Sequence, residues 1–174
     1  MNDSENNMQT NFDWQLKTFK QLSTDELYDL LKLRIDVFVV EQTCYYSDLD
    51  ELDRETETLH VFAYDRGHII AYCRVLAPNV VYEQEAALGR VIVSPEYRGQ
   101  KLGYSLMAQA LGYIDIKWPT VSCHISAQQH LHDFYHSLGF EQISDMYLED
   151  GIPHIGMRRI VKKIVKEEQN QTIT

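Results

Sequence analysis

One stretch constrains the fold of this chain more than any other: Gly89-Arg-Val-Ile-Val-Ser-Pro-Glu-Tyr-Arg-Gly-Gln-Lys-Leu-Gly103. A short β-branched run, Leu88 to Val93, ends at Ser94-Pro95 and reads as a strand. An arginine- and glycine-bearing loop follows, and Gly99 to about Lys117 reads as a helix with Leu102, Leu106, Ala110 and Tyr113/Ile114 on one face. A strand that runs through such a loop into a helix aims backbone N–H groups and the positive helix end at one point, which suits an anion. Arg90, Arg98 and Lys101 against Glu96 make the segment locally basic in a chain of net charge −10. It is not a Walker loop, because no Gly-Lys-Ser/Thr follows, and its glycine spacing is not that of a dinucleotide fold. From the residues alone, phosphate binding and a plain helix entry both remain open.

The elements around this segment set the fold class. Phe12 to Leu22 reads as a first strand. Ser23 with Glu26 forms the pattern of a capping box, and Leu27, Leu30, Leu31, Arg34, Ile35 and Phe38 then recur at helical spacing. Arg34 is out of character on that face; its head either reaches water past the edge or faces a ligand cleft. Two apolar runs, 58–65 and 69–76, flank Arg66-Gly67-His68 and predict a β-hairpin. Thr120 to Ser126 reads as a strand, Gln128 to Leu138 as a helix ended by Gly139, Phe140 to Leu148 as a strand and Ile152 to Val161 as the last. The hairpins call for a largely antiparallel sheet, and the strand–helix–strand passages for some parallel pairing. A mixed α/β domain over residues 12–163 follows, with 1–11 expected to be disordered and 164–174 a frayed tail.

Charge and cysteines exclude several functions. With 26 Asp and Glu against 16 Lys and Arg, the field repels a nucleic-acid backbone. No apolar run approaches the ~18 residues of a membrane span, and no signal peptide is evident. Cys44, Cys73 and Cys123 are odd in number and far apart, which fits reduced thiols and a cytoplasmic location. His132 and His136 are four apart on a helix, but Asp133 stands where a zinc hydrolase has glutamate, so no metal is expected. Six acids lie between Ser47 and Thr58 with Arg54 as the one base. They read as a solvated loop or as an acidic rim that draws a cationic acceptor, and Arg34, Arg74 and Arg90 are readable as partners of this loop or of a carboxylate-bearing acceptor.

The pattern Val91-x-Val93-x-Pro95-x-x-Arg98-Gly99-x-x-Leu102-Gly103 resembles the acetyl-CoA loop of the GNAT superfamily of N-acetyltransferases. Phe134-Tyr135-x-x-x-Gly139-Phe140 is similar to the helix-to-strand passage that closes those domains. Arg34-x-x-Val37-Phe38-Val39-Val40-Glu41-Gln42, Ser126-Ala-Gln-x-His-Leu131 and Tyr147-Leu-Glu-Asp-Gly-Ile-Pro-His154 resemble the ElaA-type branch. The resemblance implies a twisted, mostly antiparallel sheet of six to seven strands with one splayed parallel pair and about four flanking helices. It also implies direct transfer of acetyl from acetyl-CoA, as acyl donor, to a primary or protein amine. A homodimer through sheet edges is compatible with it.

Residue by residue, the resemblance implies a cofactor site of Val91, Ile92 and Val93 on the strand, then Arg98, Gly99, Gln100, Lys101, Leu102, Gly103 and Tyr104 on the loop and helix start. Gln128 stands where relatives place an asparagine on the pantetheine arm. Lys101 replaces the glycine of the family loop, so a Cβ crowds the phosphate approach. An amide of Val91 or Val93 faces the thioester oxygen. Tyr135 matches the general acid: a phenol of pKa ~10 stays protonated and can serve a thiolate whose acid has pKa ~8.5. The same tyrosine also reads as a core aromatic. An amine like that of lysine costs about 4–5 kcal/mol to deprotonate at pH 7, so a base is useful. Glu41 is the first candidate, with Glu85, His124 and His154 as alternatives, and Arg34, Phe38, Glu41, Arg90 and His154 are the candidate acceptor-binding residues. A domain of this fold that binds acyl-CoA without turnover is the competing reading.

Overall fold

The computed structural model describes residues 12–161, so the expectations for 1–11 and for the tail lie outside it. Strand β1 (Asp13–Thr18) is followed by a single 3-10 turn and by helix α1 (Thr24–Arg34). Ser23 caps α1 as expected: its Oγ accepts from the Glu26 amide at 3.1 Å, and Glu26 accepts from the Ser23 amide at 2.8 Å. The helix does not stop at Arg34. It widens into a π-helical stretch, Ile35–Glu41, whose Val37 packs on the sheet face with Phe62, Tyr72 and Ile92.

Next come β2 (Leu59–Asp65) and β3 (His68–Leu76), joined by Arg66 and Gly67 at φ 48° and 81°. Two positive φ values in a two-residue loop match the right-handed twist of the strands. Strand β4 (Ala86–Val93) leads through a 3-10 turn at Pro95–Tyr97 to helix α2 (Leu102–Lys117), and Trp118-Pro119 ends it. Strand β5 (Cys123–Gln128), helix α3 (His132–Ser137) and strand β8 (Ile152–Arg159) complete the frame, with β6 (Glu141–Gln142) and β7 (Tyr147–Glu149) before β8. The run 140–148 therefore forms two short strands, because Ser144 interrupts it: its Oγ accepts from the Gly156 amide at 2.8 Å in place of a backbone carbonyl.

All eight strands form one sheet in the order β1-β2-β3-β4-β5-β8-β6, with β7 also on β8. Every pairing is antiparallel except β4–β5, which is parallel through only Ala86↔Cys123 and Ala87↔His124. The strand number exceeds the expected six to seven by the split of one predicted strand, and α-helices number three among the described residues. One face of the sheet packs Leu106, Met107, Ala110 and Ile114 of α2 against β2 to β5. The other packs Leu30 and Val37 against Phe62, Tyr72 and Ile92. No described helix is long and apolar enough to cross a membrane.

Strand β4 departs from a regular path on both of its edges. Beyond Ala87 strands β4 and β5 diverge, so the remaining β4 edge toward β5 is unpaired. On its other edge Tyr72 pairs with Ile92 and Arg74 with Gly89, so two residues of β4, Arg90 and Val91, stand opposite Cys73 alone. This β-bulge places the non-glycine Arg90 at φ 53° and bends β4 away from β5.

Candidate active site

The splay opens into a cleft of about 1100 Å³ between the two flanking layers. At one end lies the start of α2. Gly99 has φ 76° and Lys101 sits at the N-cap in the left-handed region at φ 60°, with no side-chain cap on the helix. The Tyr104 and Ser105 amides bond back to the Lys101 carbonyl. The amides of residues 99–103 have no backbone acceptor among the described residues. A helix of 16 residues that begins on free amides presents donors and the positive end of its dipole. A diphosphate fits that chemistry, and the uncovered β4 edge fits an extended amide-bearing arm.

The residues expected on the strand and loop gather here. Val91, Ile92, Val93, Arg98, Gly99, Lys101, Leu102, Gly103 and Tyr104 all border the cleft, while Gln100 does not and bonds the Glu96 carbonyl at 3.4 Å. A Cβ built on Gly103 would stand 3.5 Å from the Phe134 ring, so α2 and α3 are already in contact at this level. Gln128 faces the cleft from β5 and donates to Gln42 Oε1 at 3.2 Å. Tyr135 is 5% exposed, packs edge-on against Phe134 and Phe140, and borders the cleft from α3. Burial holds its phenol above the usual range. It is thus both a core aromatic and a protonated hydroxyl at the cleft.

Glu41 borders the cleft, as expected of an acceptor-site residue, but its carboxylate is already paired. Arg98 grips it with Nη1–Oε1 at 2.6 Å and Nη2–Oε2 at 2.9 Å. The bond from Arg98 holds the Glu41 carboxyl below its ordinary range. A carboxylate so paired is a weaker proton acceptor, so Glu41 is a partner of the loop arginine rather than a ready base. Of the alternatives, Glu85 and His124 bond each other at 2.9 Å, and Glu85 also pairs with Arg158. Tyr82 stacks on the His124 ring at 3.7 Å, and neither Glu85 nor His124 borders the cleft. His154 does border it.

Arg34 is also corrected. It neither reaches water nor faces the cleft; it is fully buried. Its Nε and Nη1 donate to Asp48 Oδ2 and Asp53 Oδ1, both at 2.8 Å, and Nη2 donates to the Asp48 carbonyl at 2.7 Å. Arg74 joins Asp50 at 2.6 Å and Asp53 at 2.7 Å, and Arg90 joins Asp48 at 2.8 Å. The acidic stretch is therefore neither a solvated loop nor a free rim along its whole length. Three of its aspartates turn inward onto three arginines, and a buried carboxylate needs such partners. Arg90 borders the cleft but is held by Asp48 and lies over the Tyr46 ring at 5.4 Å, while Phe38 meets Tyr46 edge-on.

Tyr46 and Tyr82 carry no sequence signal that would single them out; the turn after the π-helical stretch and the β3–β4 loop bring them to the cleft. Gln42, Ser126 and Glu149, which fall in the ElaA-like segments, border it as well. Cys44 also borders the cleft, where burial pushes its thiol up. His132 and His136 stack on each other at 5.7 Å on α3. Among the described residues no group of three His, Cys, Asp or Glu is placed to hold a metal ion.

Comparison with known proteins agrees with this architecture. The family described as "Acetyltransferase (GNAT) domain" matches residues 22–161. The Escherichia coli K12 protein ElaA is 42% identical over 149 residues, covering 86% of this chain and 97% of that protein. The crystal structure of E. coli ElaA superposes with a TM-score of 0.80 at 41% identity, over 84% of this chain and 99% of that one. A Pseudomonas aeruginosa structure described as an acyl-CoA N-acyltransferase gives a TM-score of 0.81 at 45% identity, over 85% and 99%. A family match over residues 22–161 and relatives more than 40% identical over most of both chains show that the protein belongs to the GNAT acetyltransferase family and stands beside ElaA within it.

Proposed function

We propose that the protein is an acetyl-CoA-dependent N-acetyltransferase that passes the acetyl group directly to a primary amine. The observation that carries this reading is one continuous cleft bordered by the unpaired β4 edge, by the uncapped start of α2 and by Tyr135. The amides of 99–103 and the Arg98 and Lys101 side chains take the diphosphate, and Gln128 meets the pantetheine arm. An amide of Val91 or Val93 receives the charge that develops on the thioester oxygen; one such donor is typically worth about 10²- to 10³-fold in rate. Tyr135 gives its proton to the departing thiolate. Nothing in this scheme needs a thiol nucleophile: the Cys73 and Cys123 thiols are buried, and burial pushes both up and away from the reactive thiolate.

Lys101 supports donor binding despite its Cβ. It already occupies the left-handed conformation that the family's glycine adopts freely, so the loop keeps its path without a glycine. Titration calorimetry of acetyl-CoA and CoA into the wild type and Arg98→Ala at fixed salt tests the reading. Charge-assisted bonds are worth about 1.5–3 kcal/mol, so the variant should bind at least about tenfold more weakly. A wild type that binds neither molecule would sink the proposal. Binding without thiol release over a panel of amines would instead make the protein an acyl-CoA-binding domain.

A further inference from the structure

The cleft holds several titratable groups, and most are already committed. Glu41 belongs to Arg98 and Asp50 to Arg74. Burial raises the Tyr46 and Tyr82 phenols, which suits neither to accept a proton. His154 differs. It lies on β8 directly opposite Gln128, is 9% exposed and borders the cleft. Its Nδ1 lies 2.8 Å from the Ile152 carbonyl oxygen. A carbonyl only accepts, so Nδ1 carries the hydrogen and Nε2 carries the lone pair. Nε2 has no hydrogen-bond partner among the described residues.

The ring is also fixed in place. Tyr147 stacks on it at 6.3 Å and 25° between planes. The Tyr147 hydroxyl meets Ser126 Oγ at 2.5 Å, and Ser126 in turn donates to Glu149 Oε2 at 2.6 Å. Gln128, opposite His154 in the ladder, borders the same cleft as Val91 and Val93 of the unpaired β4 edge. A base with a defined tautomer therefore borders the cleft that the thioester would enter.

We infer that His154 is the catalytic residue that takes the proton from the acceptor amine, an inference that rests on the acetyltransferase reading. The acceptor enters as an ammonium ion and gives one proton to Nε2, which releases it to solvent. The neutral nitrogen attacks the thioester carbon and the C–N bond forms. As the intermediate collapses, the C–S bond breaks with its electron pair on sulfur, and sulfur takes the Tyr135 proton. The second proton of the nitrogen, acidic once the C–N bond has formed, passes to solvent, and solvent restores the Tyr135 proton. The sum is ammonium plus acetyl thioester giving amide, thiol and one proton.

The test compares wild type, His154→Ala, His154→Asn and Glu149→Gln, using acetyl-CoA with two sets of probe nucleophiles. One set is aliphatic amines, protonated at neutral pH; the other is hydroxylamine, which is not. Asparagine can still donate to the Ile152 carbonyl but cannot take a proton. General-base assistance is worth about 10²- to 10⁴-fold, so both His154 variants should lose that much with the aliphatic amines. They should keep most of their hydroxylamine rate and their acetyl-CoA affinity, and imidazole should restore His154→Ala in part. A His154→Asn variant close to wild type with aliphatic amines would overturn the inference, as would a loss confined to Glu149→Gln. Equal losses with both nucleophile sets would reduce His154 to packing. A wild type that binds acetyl-CoA yet acetylates neither set would refute the acetyltransferase reading itself and take the inference with it.

Discussion

Replacing Arg34 by methionine probes the charge network that holds the chain from Asp48 to Asp53 against the sheet. Methionine retains much of the packing stem and removes the guanidinium, so three short hydrogen bonds to Asp48 and Asp53 disappear without a large cavity. Asp53 keeps Arg74 at 2.7 Å and Asp48 keeps Arg90 at 2.8 Å. Removing one partner of a buried pair costs about 3–5 kcal/mol, and the two retained arginines place this variant near the lower figure. For a domain of this size each kcal/mol moves Tm by about 2–4 °C, so a fall of about 6–12 °C is expected.

The pH dependence of that loss follows from Asp53. Burial raises its pKa, but Arg34 and Arg74 outweigh burial and leave the carboxyl below its ordinary value. A carboxyl whose folded pKa is depressed stabilises the fold above its unfolded value, ~3.9, and loses that contribution as pH falls through the folded value. The difference between wild type and Arg34→Met should therefore be full at pH 7 and shrink on acidification below about pH 4. Urea unfolding followed by circular dichroism at both pH values measures it. A difference under about 1 kcal/mol at pH 7, or one that does not shrink in acid, would refute the claim that Arg34 compensates buried carboxylates.

Two further variants address the cleft. Glu41→Gln frees Arg98 from a pair whose side chains are 44% and 40% exposed, which is worth at most about 1 kcal/mol. Acetyl-CoA should then bind up to about fivefold more tightly by calorimetry; weaker binding would mean that Glu41 aims Arg98 at the phosphates. Tyr135→Phe should leave acetyl-CoA affinity unchanged and lower thiol release with a good amine by about 10²- to 10⁴-fold. Unaltered turnover would return Tyr135 to a packing role alone.

What the sequence made legible is what local chemistry decides. Ser23 and Glu26 satisfy each other's amides three residues apart, and Gly67 beside Arg66 supplies a tight hairpin, so both features show in a short window. The strand–loop–helix passage around Arg98 was visible for the same reason, since glycines and bases cluster within it. The Arg34 network was legible only as one of two open choices, a partner in the acidic loop or a ligand. Which aspartates it would bury is silent, because they lie 14 and 19 residues away and only the folded turn brings them to it. The bulge at Arg90 is likewise silent, since a positive φ at a non-glycine residue is imposed by pairing with β3 rather than by its own preference. The same limit bears on Glu41 and His154 as candidate bases. Both were readable as polar residues in suggestive segments, but proton affinity depends on what each side chain meets. Arg98, 57 residues from Glu41, lowers the basicity of the carboxylate, while a carbonyl two residues from His154 holds the hydrogen on Nδ1 and leaves the lone pair on Nε2. The first contact is tertiary and the second is a local bond made only once β8 pairs with β5. Side-chain type selects the candidates, and the sheet register decides among them.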